Sequence, residues 1–185
     1  MNNTRKFYIS DLHIGHKNII AFDQRPFFTL DEMKEAIISN WNSVVNNGDI
    51  VYVVGDMFWD NRGATEVLQR LKGNKFLILG NHDRINSDMQ KYFIGIYSYK
   101  EIKDNDRHVV LCHYPIAHWN RADYGAVHIY GHIHSGRDNR PFNLYREQMK
   151  SRDFPYECYN VGCMLPYMDY TPRTLDEIIA ANRIN

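Results

Sequence analysis

Short β-branched runs alternate with amphipathic segments along this chain and then give way to a hairpin, which predicts a mixed α/β fold. Three observations carry that expectation. Ile50-Val51-Tyr52-Val53-Val54 is a continuous apolar run of the kind buried on both faces of a sheet. Leu30, Met33, Ile37, Trp41 and Val44 recur at helical spacing, so that helix buries one stripe. The runs Tyr97 to Ile102 and His108 to Leu111 bracket Lys103-Asp104-Asn105-Asp106-Arg107, a hairpin. At 185 residues the chain is expected to be one domain, 1–185. A domain of that size buries roughly 70% of its unfolded surface.

The elements follow in order. Phe7-Tyr8-Ile9 is a short strand running into Ser10-Asp11. Thr29-Leu30-Asp31-Glu32 is a capping box: the Thr hydroxyl and the Glu carboxylate satisfy free amides of the first helical turn. Asn46-Asn47-Gly48 ends this helix with residues suited to a left-handed cap. Residues 65–71 form a second helix closed by Gly73, and Phe76-Leu77-Ile78-Leu79 is the next buried strand. Val127-His128-Ile129-Tyr130 is another. The polar, irregular residues 136–158 read as a long surface excursion. Thr174-Leu175-Asp176-Glu177 is a second capping box and opens a C-terminal helix through Ile178 and Ile179.

Charge narrows the function. The chain has 22 Lys and Arg against 22 Asp and Glu, so it lacks the basic excess of a non-specific nucleic-acid or membrane-surface binder. A small phosphorylated substrate is still admissible, because bound cations supply charge that this balance ignores. No apolar run approaches the ~20 residues of a membrane helix, and no membrane partner is expected. Cys112, Cys158 and Cys163 are odd in number and contain no Cys-x-x-Cys pair. They point to neither a disulfide framework nor a thiolate zinc site, and a cytoplasmic location is the expectation. The oligomeric state is not readable.

The chemistry sits at the strand ends. The first strand runs into Asp11-Leu12-His13, the second into Gly55-Asp56 and the third into Gly80-Asn81-His82-Asp83. The run ending at Cys112 delivers His113, and Tyr130 is followed by Gly131-His132-Ile133-His134. Open α/β sheets place their sites at such carboxyl ends. Gly55, Gly80 and Gly131 are expected to let the backbone turn there. Carboxylate, amide oxygen and imidazole suit hard or borderline divalent metals. Asp11 and His13, and likewise His132 and His134, lie two apart and would point the same way in an extended segment. Two metals about 3.5–4 Å apart need a bridging ligand, and Asp56 is the best-placed carboxylate. Taken singly, each motif has a structural explanation: Gly-Asp is a common turn, and a lone His after a strand is usually a satisfied core residue. Five such motifs in order have no competing explanation.

Those five motifs resemble the signature of the calcineurin-like metallophosphoesterases. Asn160-Val161-Gly162, Tyr170-Thr171-Pro172 and the closing helix are also similar to that family's end. The extended first block, residues 11–20 with Arg25-Pro26-Phe27, is similar to small bacterial and phage members. The resemblance implies a four-layer αββα sandwich with two mixed sheets and a dinuclear centre. Metal one would take Asp11, His13, Asp56 and His134; metal two would take Asp56, Asn81, His113 and His132. Manganese is the first expectation for both ions, with Fe, Zn, Ni, Co or Mg as alternatives. His82 would be the proton donor to the leaving group. The Ser/Thr phosphatases of the family carry an Asp three residues after the bridging one, where this chain has Trp59, so a protein-phosphatase reading is not supported.

The expected activity is hydrolysis of phosphate esters, phosphodiesters of nucleotide or oligonucleotide type first. Two cations would neutralise the phosphate and acidify a water, giving hydroxide for in-line attack. Asp83 or Asp60 would keep His82 protonated beside those charges. Phosphomonoesterase and nucleotide-pyrophosphatase activities use the same centre, and a non-catalytic scaffold keeping the fold is the rival of another class. Weaker expectations place His16, Lys17 and Arg25 on phosphate, and Trp59, Tyr114, His118 and Trp119 against a base or sugar. His108 and His128 lie inside strands and are not expected to be ligands; Asp23, Asp123 and Asp138 have no evident partner.

Overall fold

The computed structural model describes residues 4–136, 139–150 and 155–183. β1 (Lys6–Ile9), β2 (Ile50–Val53), β3 (Asn74–Ile78) and β4 (Phe93–Tyr97) pair in parallel, and the short β9 (Arg173–Thr174) pairs antiparallel to β1. This gives one sheet of order β4-β3-β2-β1-β9. In the second sheet, β5 (Tyr99–Asp104) and β6 (Arg107–Cys112) form the expected hairpin, and β7 (Val127–Tyr130) and β8 (Cys158–Asn160) continue in parallel. The expected strand from Tyr97 to Ile102 is therefore two strands. Tyr97 ends the first sheet and Tyr99 begins the second, so the chain changes sheets at Ser98. The sequence hides that change, because a single residue separates the two strands.

The helices are α1 (Ile19–Phe22), α2 (Leu30–Val44), α3 (Ala64–Arg70), α4 (Ser87–Gln90), α5 (Asn139–Lys150) and α6 (Leu175–Arg183). The second capping box forms in full, and the first forms with its glutamate on the residue before the cap. Thr29 Oγ1 accepts from Glu32 N, and Glu32 reaches back to Phe28 N. Thr174 and Glu177 bond each other reciprocally. The end of α2 differs from expectation. Val45 is extended and Gly48 is not left-handed; Asp49 takes the Asn46 N–H instead, at 2.8 Å. Trp41 is fully buried and its indole donates to Lys72 O. Truncating a core aromatic of this kind costs about 3–5 kcal/mol.

The second sheet explains the layering through its period of two. Val109, Leu111, Val127, Ile129 and Tyr159 join the core shared with the first sheet. Val110, Tyr130 and Cys158 turn the other way, into a second cluster with Trp119, Ala126 and Tyr156. Phe142, Tyr145 and Met149 of α5 cover that cluster. Two mixed sheets with helices outside them are the expected sandwich. The surface excursion expected over residues 136–158 is corrected: α5 and the start of β8 lie within it. Three apolar residues at positions 142, 145 and 149 hold this helix, and its polar majority hid them. Residues 137, 138 and 151–154, including Asp138, lie outside the described residues.

Candidate metal centre

All five motifs meet where the two sheets touch. The ladders continue past the strands into the loops that carry the polar side chains. Asp11 N donates to Gly55 O and His13 N to Asp56 O, both at 3.0 Å, while Gly131 N donates to His113 O at 2.9 Å. Ser10 joins the sheets, donating to Val161 O and accepting from Cys163 N.

Two tight groups result. Ligand-type atoms of Asp11, His13 and His134 lie within 4.8 Å of one another, and so do those of Asp11, Asp56 and His113. Asp56 belongs to the second group and reaches toward the first: its Oδ2 is 3.4 Å from His113 Nε2 and 3.7 Å from His13 Nε2. Asp11, common to both groups, has an equal geometric claim to the middle. Asn81 Oδ1 stands 3.2 Å from His113 Nε2. The His132 ring lies 5.2 Å from the His113 ring and belongs to neither tight group; its backbone N–H donates to Asp11. His82 donates its backbone N–H to Asp56 Oδ1 at 2.9 Å, and its ring stands 5.5 Å from His13 and 4.7 Å from Trp59.

Proton counting tests whether a cation fits. His113 Nδ1 is 2.9 Å from Val54 O, which can only accept, so Nδ1 carries the proton. Its Nε2 lone pair then faces two more acceptors, Asp56 Oδ2 and Asn81 Oδ1. His134 repeats the pattern. Nδ1 donates to Asp23 at 2.8 Å, and Nε2 faces His13 Nε2 at 3.1 Å and Asp11 Oδ1 at 3.5 Å. His13 Nδ1 is buried with no hydrogen-bond partner among the described residues. Buried acceptors pointed at one another repel unless a positive charge lies between them. Oxygen and imidazole donors without thiolate fit a divalent cation.

In the metal-free protein a second proton competes for that same place, and the titration of the histidines reflects it. Burial opposes charge on His113, but the Asp56 hydrogen bond and the Asp11 charge hold its pKa above the ordinary value. Burial likewise opposes charge on His134, yet hydrogen bonds to Asp11 and Asp23 raise it to about 10. Burial brings His13 down to about 4. The Asp11 and Asp56 carboxyls stay below the usual range because histidine contacts override their burial.

The backbone is shaped for this convergence. Asp11, His13, Asp56, His132 and His134 all adopt left-handed φ, between 45° and 72°. Non-glycine residues rarely do so, and such outliers collect at functional sites. The extended pairs expected for 11 and 13, and for 132 and 134, are therefore replaced by tight turns. Gly55 is left-handed as expected (φ +89°), whereas Gly80 and Gly131 are not. They supply room instead: a Cβ at Gly80 would meet Asp56 Oδ1 at 2.2 Å, and one at Gly131 would meet Asp11 Oδ2 at 2.5 Å.

Several supporting residues escape sequence reasoning. Asp83 accepts from the backbone of Asp56, Met57 and Gly80 and ties two motif loops together. Asp60 is engaged by Arg62. Both carboxylates are thus occupied by donors other than the His82 ring. Asn160 donates to His134 O, and Ser10 Oγ donates to Asp11 Oδ2.

The weaker substrate candidates divide. Arg25 is corrected: its side chain is fully buried and donates to Asp23 and to the carbonyls of Asp11 and Leu12, so it does not present itself to substrate. Trp119 is buried in the second cluster and bonds Ala126 O. His118 is exposed and pairs with Asp123. Trp59, 41% exposed, stacks on His16 at 3.7 Å beside His82. Tyr114, 46% exposed, stands against His113 and His132. Two exposed aromatic rings thus rim the cluster.

The model of the calcineurin-like phosphoesterase family matches residues 5–161. An uncharacterized protein of Methanocaldococcus jannaschii is 33% identical over 180 residues, which cover 95% of this chain and 90% of that protein. The gene 66 protein of Mycobacterium phage L5 is 29% identical, over 73% of this chain and 79% of its own. Among solved structures, a protein of unknown function from Aquifex aeolicus superposes with a TM-score of 0.73 at 28% identity, covering 97% of this chain and 100% of that one.

Proposed function

The chain belongs to the calcineurin-like phosphoesterase family, and from that premise we propose a dinuclear, metal-dependent phosphodiesterase acting on nucleotides or short oligonucleotides. The observation that carries the reading is the convergence of histidine lone pairs and carboxylates at one point. In the proposed assignment, Asp11, His13 and His134 would hold one cation and Asn81, His113 and His132 the other, with Asp56 shared by the two sets. When bound, two divalent ions, manganese first, neutralise phosphate charge and acidify water.

The residues of the chain supply the rest. Asp56 is fixed by the His82 backbone N–H through Oδ1, which leaves Oδ2 directed at both groups. Asp83 holds the Asp56 loop against the Gly80 loop. The His82 ring, outside both tight groups, gives its proton to the departing alkoxide, a role worth ~10²–10⁴-fold. Trp59 and Tyr114 offer faces to the rings of a nucleotide, and His16 backs the indole. The proposed location is the cytoplasm, supported by three free cysteines. No helix among the described residues is long and apolar enough to cross a membrane.

Bis-p-nitrophenyl phosphate and p-nitrophenyl phosphate, each with chelated and Mn²⁺-reconstituted protein, test the proposal. Mn²⁺-dependent turnover that is faster on the diester is expected. Faster turnover of the monoester would favour the phosphomonoesterase reading. No turnover of either ester by metal-loaded protein would favour the scaffold.

A further inference from the structure

Asp23 lies outside every motif and Arg25 at the end of the extended first block, yet together they connect both sides of one tight group. Asp23 Oδ1 accepts from His134 Nδ1 at 2.8 Å. Its Oδ2 accepts from Arg25 Nε at 3.1 Å and from Nη2 at 2.9 Å. The same guanidinium donates from Nη1 to Leu12 O and from Nη2 to Asp11 O, each at 2.8 Å. The Arg25 side chain is fully buried and that of Asp23 is 7% exposed. Resting on the proposed function, we infer that Asp23 and Arg25 are positioning residues for the first cation, locking His134 and the Asp11 turn into one unit.

Three physical points support this. A carboxylate accepts only, so Asp23 leaves the proton on His134 Nδ1 and frees Nε2 to face Asp11 and His13. The two carbonyls held by Arg25 belong to the turn in which Asp11 and His13 are left-handed, a conformation that needs outside support. Burying an ion pair is also a poor route to stability, since apolar side chains of equal volume do as well or better. What this pair adds is orientation: its hydrogen bonds end on the imidazole and the backbone that carry the candidate ligands. Lysine could not replace Arg25, because a single ammonium lacks the planar fork that reaches a carboxylate and two carbonyls together.

The test is a calorimetric Mn²⁺ titration of metal-stripped wild type, Asp23→Asn, Asp23→Glu and Arg25→Lys, with thermal melts of each. Wild type is expected to bind two equivalents. Asp23→Asn should weaken one of them by roughly 10–100-fold and spare the other. Arg25→Lys should weaken the same equivalent. Asp23→Glu keeps the charge and should recover part of the loss. Should Asp23→Asn fail to fold, Asp23→Glu decides, with a loss of up to about tenfold on one equivalent. Folded variants that keep both affinities within about twofold of wild type would overturn the inference. So would equal weakening of both equivalents in step with a lowered Tm. A wild type that binds no Mn²⁺ would remove the proposed function itself, a result distinct from either.

Discussion

His113 and His128 are both fully buried, His128 within β7 and His113 directly after β6, and both turn Nδ1 toward a backbone carbonyl, Val54 O for one and Val110 O for the other. Their second nitrogens part company. His128 Nε2 accepts the Ile116 N–H at 3.1 Å, so its hydrogen bonding closes within the protein. His113 Nε2 meets Asp56 and Asn81, which offer oxygen. Burial takes His128 down to about 4, whereas acidic neighbours raise His113. Burial therefore does not separate a structural histidine from a ligand-type one; the partner of the last nitrogen does. His128 is satisfied by backbone groups, whereas His113 stands among ligand-type oxygens where a cation would fit.

The most drastic way to break this contrast is Asp56→Asn, which exchanges a shared anionic oxygen for a neutral amide. It removes several kcal/mol of transition-state stabilisation, on the order of 10³-fold in kcat, and weakens metal binding. Steady-state kinetics with metal analysis checks both, and a variant with two tight metals and a near-normal rate would refute the bridge. His82→Ala sharpens the contrast with a third kind of histidine, adjacent to the cluster but outside it. Metal content should be unchanged, and kcat should fall ~10²-fold for alkoxides of high pKa but little for p-nitrophenolate. A leaving-group series reads the difference.

The two regions also oppose each other in pH. In metal-free protein His134 rises from 6.5 to about 10 on folding, so its contribution is complete below 6.5 and fades as pH climbs toward 10. His128 falls from 6.5 to about 4, so its contribution is complete above 6.5 and fades as pH drops toward 4. Melts across that range should show the alkaline loss disappearing on Mn²⁺ addition, because the cation replaces the proton, and the loss from His128 persisting. The smallest effect belongs to the rim. Trp59→Ala should shrink the preference for a thymidine methyl phosphodiester over a base-free methyl ester by roughly tenfold, the worth of one stacked base. An unchanged ratio of kcat/KM would remove Trp59 from recognition.

What was legible in the sequence follows from contiguity. Asp11, Asp56, Asn81, His113 and His134 sit directly after apolar strands, so strand ends could be read as site positions, and the structure brings them together. Asp23 was opaque because its partner lies 111 residues away, and Arg25 because a buried cation is indistinguishable from an exposed one in a bare sequence. The left-handed turns were opaque for the opposite reason: Asp11, His13 and Asp56 carry side chains where glycine would have signalled the conformation. Gly80 and Gly131 did signal, but for space around a carboxylate and not for φ.

The most direct test compares the two buried histidines. Metal-stripped wild type, His113→Ala and His128→Ala are titrated with Mn²⁺, and bound metal and Tm are measured for each. His128→Ala should lose about 2–4 kcal/mol of stability, from a cavity and an orphaned Ile116 N–H, and still bind two equivalents. His113→Ala should bind at most one. Two tightly bound equivalents in His113→Ala, or none in wild type, would contradict the account.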